Sequence, residues 1–468
     1  MLNDQLQRLD RVFSPRSVAV VGASGNPGRV GHSLVESIVV SGFKGEIYPI
    51  NPKEKEIAGL PVWKDLKDLP SVPDLVVVGL NQFATVDVVE TCGQMGVAGV
   101  LSIAGGFKEM GQEGADLEAR LVDISRQYGL HLIGPNSLGM INTAANLNTT
   151  FYPMKLKPGG LSILSQSGGV GLSLIHKAVE EGLDICKWVG VGNRGTLEFK
   201  DYLQYLLNDP PTKVIAIFME STEDARGLVE EARKVAAEKP VVIFKGGNSE
   251  LAQYAALTHT GSLAGSPKMY RDIFRQNGII QVESLAELVA VCKALSISPL
   301  PSGEGLGIIT HTAGPSIVMV DELSPRGCNL PPLTEKTIER VKAVIGENPP
   351  IILKNPLDVA GLGFAATPFG QLAEVLLDDP GIDLAIGVYC LHKNWPFPTK
   401  ELLNAKKKTG KPVVACYIST LAGLGEDLEI LHQNGIPVYT SVEEAAYGAA
   451  GLIRYARIKK ERGEGCAK

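Results

Sequence analysis

Residues 257–265 read Leu-Thr-His-Thr-Gly-Ser-Leu-Ala-Gly, which sets His259 among small and hydroxyl-bearing neighbours. A phosphate fits such a place. An imidazole nitrogen is a competent nucleophile near neutral pH, and the N–H groups of such a loop can neutralise the oxygens of a transferred phosphoryl group. Taken alone, a histidine in a Gly/Ser loop reads as a solvated or capping residue. Two further turns change that balance: Gly22-Ala23-Ser24-Gly25-Asn26-Pro27-Gly28-Arg29-Val30-Gly31 near the start of the chain, and Ser165-Gln166-Ser167-Gly168-Gly169, which follows an apolar run and precedes helical spacing over residues 170–180.

The first turn lies between the apolar run Ser17 to Val21 and the amphipathic stretch His32 to Val40. Strand, glycine turn and helix start together make an anion site, because unpaired N–H groups and the positive end of the helix dipole face one spot. The spacing is Gly-x-x-Gly-x-x-Gly, not the Gly-x-Gly-x-x-Gly of dinucleotide folds, and the second strand, Glu46 to Ile50, runs into Asn51-Pro52-Lys53 where NAD calls for a carboxylate. A lysine there suits a phosphorylated ribose. The 3′-phospho-ADP part of coenzyme A is therefore the better candidate, with NADP left open. Ile103-Ala104-Gly105-Gly106 and Ile133-Gly134-Pro135-Asn136 end two later strands. Parallel sheets bind ligands at the carboxyl ends of their strands, so these turns would line the same crevice; otherwise they are simply tight turns.

The elements that position these residues follow from periodicity. Short apolar runs recur at residues 17–21, 75–78, 100–103, 161–164, 214–218, 241–244, 306–309, 384–388 and 413–416, and stretches with apolar residues three and four apart, such as 225–237, lie between most of them. That alternation predicts βαβ units and parallel sheets. Breaks at Leu-Lys-Pro-Gly-Gly (156–160) and at the Pro/Ser/Gly stretch 296–304 divide the chain into domains at 1–150, 151–297 and 303–460, with the charged tail 459–465 expected to fray. A length of 468 residues, 44% apolar and 21% charged, accommodates three such cores. The net charge of −6 argues against nucleic acid as the main partner. No long apolar run or leader pattern is present, and seven scattered cysteines lack any Cys-x-x-Cys pair, so a cytoplasmic protein with reduced thiols and no structural metal is expected.

With these motifs together, the chain resembles, over nearly its whole length, the α subunit of nucleoside-diphosphate-forming acyl-CoA synthetases, relatives of succinyl-CoA synthetase. The resemblance rests on Gly22-Ala23-Ser24, Ile133-Gly134-Pro135-Asn136, Ser165-Gln166-Ser167-Gly168-Gly169, the loop from Thr258, residues 309–315 and Asn355-Pro356-Leu357-Asp358; His311 stands where relatives usually carry Asn. It implies a Rossmann-like CoA-binding domain followed by two flavodoxin-like ligase domains. It also implies the reaction acyl-CoA + NDP + phosphate to acid + NTP + CoA, through an acyl phosphate and a phosphohistidine. By the same resemblance His259 is the phosphorylated histidine and Glu220 the carboxylate on its far ring nitrogen. Gly22, Ala23, Ser24, Gly25, Gly28, Arg29, Val30, Lys53, Ile103, Ala104, Gly105 and Asn136 would hold CoA. Ser165, Gln166, Ser167, Gly168, Gly169, Thr260 and Gly261 would hold phosphate, the small residues 258–265 suiting a loop that moves between two sites. His311 and the other histidines read as structural.

No segment reads as an ATP-grasp domain, so the resemblance implies a separate ATP-grasp β subunit, an α₂β₂ assembly, and Mg with the nucleotide on that partner. The substrate would be acetate or another small carboxylic acid, with ADP/ATP. A non-catalytic CoA sensor or scaffold is the competing reading; it would need neither His259 nor Glu220. An NADP-dependent reductase leaves His259 without a role, and a protein acetyltransferase needs a module absent from this sequence.

Overall fold

The computed structural model describes residues 2–249, 251, 266–346, 353–390 and 395–465. They form two compact units, one of residues 1–176 with 184–281, the other of 177–183 with 282–468. In the first unit β1 (Ser17–Val21) is buried along its whole length, because Val-Ala-Val-Val offers apolar bulk to both faces of a sheet. β2 (Glu46–Ile50), an antiparallel hairpin of β3 (Glu56–Ile57) and β4 (Leu60–Pro61), β5 (Leu75–Val78), β6 (Gly99–Ser102) and β7 (His131–Ile133) follow. The sheet order is β2-β1-β5-β6-β7, all parallel. Its order reverses between β1 and β5, which opens a crevice at their carboxyl ends. The helices Val30–Ser41, Gln82–Met95 and Gln112–Tyr128 each stop at a glycine with positive φ, where a residue without Cβ costs least.

The second sheet comprises β8 (Met140–Asn142), β9 (Leu147–Asn148), β10 (Pro158–Ser165), β11 (Ile185–Gly190), β12 (Val214–Met219), β13 (Val241–Lys245) and β14 (Ile280–Val282), in the order β14-β13-β12-β10-β11-β8-β9. The sequence predicts parallel strands throughout and assigns residues up to 150 to the first domain. Residues 140–148 depart from that: β8 runs antiparallel to β11 and to β9 at the edge of the second sheet. The connection between β8 and β9 is too short for a crossover helix, so the polar segment Asn142 to Asn148 closes the edge as a hairpin instead. One hydrophobic core serves both sheets, with Val18, Val20, Leu75 and Val77 of the first clustered with Val189, Ile215, Ile217 and Ile243 of the second. The helix Leu2–Phe13 joins in, its Phe13 ring stacked on Tyr205 at 4.4 Å.

In the second unit β15 (Leu306–Thr310), β16 (Leu357–Asp358), β17 (Leu384–Cys390), β18 (Val413–Ile418) and β19 (Val438–Tyr439) pair in parallel in the order β16-β15-β17-β18-β19. The helix Leu285–Ile297, which the sequence attaches to the second domain, packs within this unit. Tyr439 donates its hydroxyl to Ala290 O at 2.6 Å, and Ala290 and Ala294 share a core with Leu306 and Ile308. The tail does not fray where expected: the helix Val442–Gly465 continues through it, since Lys, Arg and Glu favour helix and basic side chains suit a helix end. Among the described residues no helix is long and apolar enough to cross a membrane, and the six described cysteines are free thiols.

Candidate active site

The glycine turn follows β1 because the backbone must fold tightly against its own helix. Gly22 has φ +86°, and a Cβ on Gly31 would lie 1.9 Å from Gly22 O, so the helix Val30–Ser41 starts directly on the strand end. Asn26 Oδ1 accepts the Gly28 N–H at 2.9 Å, and Asn51 Nδ2 donates to Ala23 O at 2.7 Å, which ties the turn to the end of β2. Beside it opens a cavity of about 900 Å³, within the range of small-molecule sites. Gly22, Ala23, Ser24, Arg29 and Val30 line it. Gly25 and Gly28 lie in the same turn without lining the cavity; Glu54 carries its carboxylate against Gly25, where a Cβ would meet it at 3.2 Å.

Lys53 is exposed beside Pro52, which is on the wall. Lys64 is the lysine that lines the cavity, and sequence reasoning missed it. The hairpin and the main-chain bonds Asn51 N–H to Trp63 O and Trp63 N–H to Pro49 O, both 2.9 Å, bring it there. A Lys-Asp pair after a short hairpin carries no local signal for that placement.

Further along the carboxyl ends of the strands, Asn136 N–H donates to Ala104 O at 2.7 Å, which joins the two predicted turns. Asn136 itself holds φ +57°. Neither Ile103, Ala104, Gly105 nor Asn136 lines the cavity; they extend its row of strand ends. Glu109 shapes this stretch: Oε1 accepts from Gly106 N at 2.6 Å and Phe107 N at 3.1 Å, and Oε2 accepts from Asn193 Nδ2 at 2.7 Å. Burial pushes the Glu109 carboxyl up, but these donors outweigh it and hold it below the usual carboxylate range. The row then crosses to the second sheet, because Asn193 N donates to Pro135 O at 2.9 Å and Val191 N to Ser165 O at 2.9 Å.

Ser165 ends β10, and the helix Gly168–Glu180 begins three residues later. Ser165 Oγ donates to Ser167 O at 2.6 Å, and Val170 N donates to Ser167 Oγ at 3.4 Å. Among the described residues nothing lies within 4 Å of a Cβ on Gly169. Gln166 turns its amide to the neighbouring strand end: Oε1 accepts from Glu220 N at 2.8 Å and Ser221 N at 3.1 Å, and Nε2 donates to Ser221 Oγ at 3.2 Å. Glu220 thus stands at the end of β12 beside the Ser165 loop. Lys245, next to it at the end of β13, was not foreseen; its burial pushes the ammonium down, and the Glu220 charge pulls it back up. His259, Thr260 and Gly261 lie outside the described residues.

Residues 16–143 match a CoA binding domain family, and residues 158–295 match the succinyl-CoA ligase like flavodoxin domain. The alpha subunit of an ADP-forming acetate–CoA ligase II from Pyrococcus furiosus is 36% identical over 96% of this chain and 98% of its own length. The chain belongs to the ADP-forming acyl-CoA ligases. An ADP-forming acetate–CoA ligase I from Archaeoglobus fulgidus is 35% identical over 97% of this chain, which spans 65% of that protein. The solved dinucleotide forming acetyl-coenzyme A synthetase 1 of Ca. Korarchaeum cryptofilum, in complex with phosphate and ADP, superposes with a TM-score of 0.88 at 32% identity and 98% coverage of both chains. This ligase is therefore a Rossmann-like CoA-binding domain with flavodoxin-like parallel sheets, corresponding in extent to the family's alpha subunits.

Elsewhere in the ligase, the motifs of the third sheet are braces. Asn355 Oδ1 accepts from Ile308 N at 3.1 Å while its Nδ2 donates to Leu306 O at 2.8 Å. His311 is buried; its Nε2 accepts from Cys390 N at 2.8 Å, and burial lowers its pKa.

Proposed function

We propose that this chain is the α subunit of an ADP-forming acyl-CoA synthetase that turns acyl-CoA, ADP and phosphate into a small carboxylic acid, ATP and CoA. The observation that carries the reading is the row of strand ends running from the glycine cavity through Asn136 to the Ser165 loop and Glu220. CoA lies along the first part, its phosphates at the turn Gly22 to Gly31, its 3′-phosphate near Lys64 and Lys53, and its thiol end toward Gly105 and Asn136. Phosphate attacks the thioester carbonyl, the C–S bond breaks, and CoA leaves as the thiol. The resulting acyl phosphate gives its phosphoryl group to a ring nitrogen of His259 and leaves as the carboxylate. Phosphohistidine then passes the group to ADP. Ser165, Ser167, Gly168, Gly169, Thr260 and Gly261 surround the phosphoryl oxygens, with Gln166 framing the loop. Glu220 holds the far ring nitrogen and stabilises the cationic ring.

The chain divides into domains at 1–150, 151–297 and 303–460 in this reading, which the presence of three main sheets supports. ADP and Mg bind on a separate ATP-grasp β subunit, in an α₂β₂ assembly in the cytoplasm. The third of the Archaeoglobus protein that this chain does not span supports a second subunit. The test is phosphoryl transfer. With the β subunit, labelled ATP and Mg²⁺, this chain takes up an acid-labile, base-stable label that His259→Ala abolishes and His311→Ala leaves intact. A labelled His259→Ala chain, or turnover by this chain alone, removes the proposal.

A further inference from the structure

We infer that Lys108 is a positioning residue that links the CoA-side loop 103–107 to the loop carrying Glu220; this rests on the reading that CoA lies against that first loop. Lys108 opens the short turn Lys108–Met110 directly after it. Its Nζ lies 2.8 Å from Glu223 Oε1, 2.9 Å from Asn193 O and 3.4 Å from Glu118 Oε1. Those three groups belong to three places that matter. Glu223 is three residues beyond Glu220, Asn193 sits in the loop docked on the Asn136 turn, and Glu118 lies on the helix Gln112–Tyr128.

Each side of this junction is tied down by its own carboxylate. On the CoA side Asn193 Nδ2 donates to both Glu109 Oε2 and Glu118 Oε2, at 2.7 and 2.9 Å, and Glu109 holds the Gly106 and Phe107 amides. On the other side Glu198 accepts from Glu223 N and Thr222 Oγ1, both at 3.3 Å, and is paired with the buried Arg194 at 3.0 Å. Arg194 holds φ +59°, a strained conformation for a residue with a Cβ. Lys108 bonds to both sides of this junction through its charge. Burial pushes the Glu223 carboxyl up, yet Lys108 and Arg194 together hold it below its ordinary value.

A half-exposed ion pair of this kind contributes little to stability. Its value is geometric. The ammonium is bound at once to groups of two sheets, so a ligand that displaces Gly106 or Phe107 must move Nζ or break one of its three contacts. Either way the segment after Glu220 gains or loses its front support, and the gain on one side must equal the effect on the other.

Amide hydrogen exchange of the full-length chain, with and without CoA, tests this in wild type, Lys108→Met, Lys108→Arg and Glu223→Gln. The Glu223 side chain is 62% exposed, so that variant keeps the fold if Lys108→Met does not. CoA is expected to slow exchange over 103–110 in every folded variant, and over 219–226 by about fivefold or more in wild type and Lys108→Arg alone. The affinity for CoA should fall in Lys108→Met and Glu223→Gln by no more than that same factor. Equal CoA-dependent slowing over 219–226 in wild type and in Glu223→Gln overturns the inference, as does its absence in wild type while 103–110 still responds. If 103–110 in wild type ignores CoA, the placement of CoA falls first and the inference with it.

Discussion

The side-chain oxygen of Gln166 accepts the backbone N–H of Glu220 at 2.8 Å, so the residue at the heart of the Ser/Gly loop also fixes where the carboxylate of the next strand end begins. Loss of that amide leaves the Glu220 and Ser221 donors without it. Replacing Gln166 with Leu should cost about 1–3 kcal/mol of local stability. Phosphorylation of the chain by its β subunit and ATP should slow by roughly 10-fold or more, with CoA affinity unchanged. Rapid-quench labelling and calorimetric titration separate the two; a CoA defect equal to the phosphorylation defect would contradict the assignment.

Glu220→Gln keeps the size and hydrogen-bonding atoms of the side chain but removes its charge. If that charge supports a cationic phosphorylated ring, phosphorylation slows on the order of 10²-fold while CoA still binds. Unaltered single-turnover labelling would remove Glu220 from the site.

Gly31 leaves no room for a side chain, since its Cβ would stand 1.9 Å from Gly22 O. Gly31→Ala must push the helix Val30–Ser41 off β1. The expected cost is about 1–3 kcal/mol, with CoA affinity lowered by at least 10-fold because the turn amides lose their alignment. Thermal melting and titration with CoA check both; normal binding would show that the turn does not hold the ligand.

Lys64 lines the cavity whereas Lys53 is exposed beside it. Lys64→Ala should weaken CoA binding more than dephospho-CoA binding, by about 10-fold in ratio, and Lys53→Ala should do so less. An equal loss for both ligands would place the 3′-phosphate elsewhere.

In the second unit His432 Nε2 accepts the Val438 N–H at 3.2 Å, and burial, aided by the Lys293 charge, pushes the imidazole down to about 3. The unfolded chain then binds more protons than the folded one between about pH 3 and the ordinary 6.5. Stability from this group is complete above 6.5 and declines as pH falls through that interval, by on the order of 5 kcal/mol in total. Chemical unfolding at several pH values should give a shallower acid slope for His432→Gln than for wild type; identical slopes would count against it.

Local sequence was most informative where one element decides its own structure. Ser17–Val21 and Leu75–Val78 are strands with the bounds their apolar runs suggest, because β-branched residues flanked by glycine and proline leave few alternatives. Gly22, Ser24 and Arg29 group into one turn for the same reason: a strand, a glycine turn and a helix start are neighbours in sequence. What was missed depends on distant partners. Lys64 reaches the cavity through main-chain pairing with β2, Lys108 meets Glu223 across two sheets, and Lys245 stands by Glu220 only because β13 pairs with β12. Residues 140–148 and 285–297 joined other sheets than expected, since edge pairing and helix packing are chosen by the whole core. The resemblance supplied roles for His259 and Glu220 that spacing alone could not.

With a single core beneath the first two sheets, they should melt as one unit. A ligand that grips only the glycine turn therefore resists unfolding of the Ser165 loop and the Glu220 strand as well, by RT ln(1 + [L]/Kd) for the unit as a whole. CoA at a hundredfold excess over its dissociation constant would lend about 2.7 kcal/mol to the unit as a whole, the Ser165 loop and the Glu220 strand included. Substrate supply and the durability of the catalyst are in that sense one quantity: a cell poor in CoA would hold a less persistent enzyme, and one rich in it a longer-lived one.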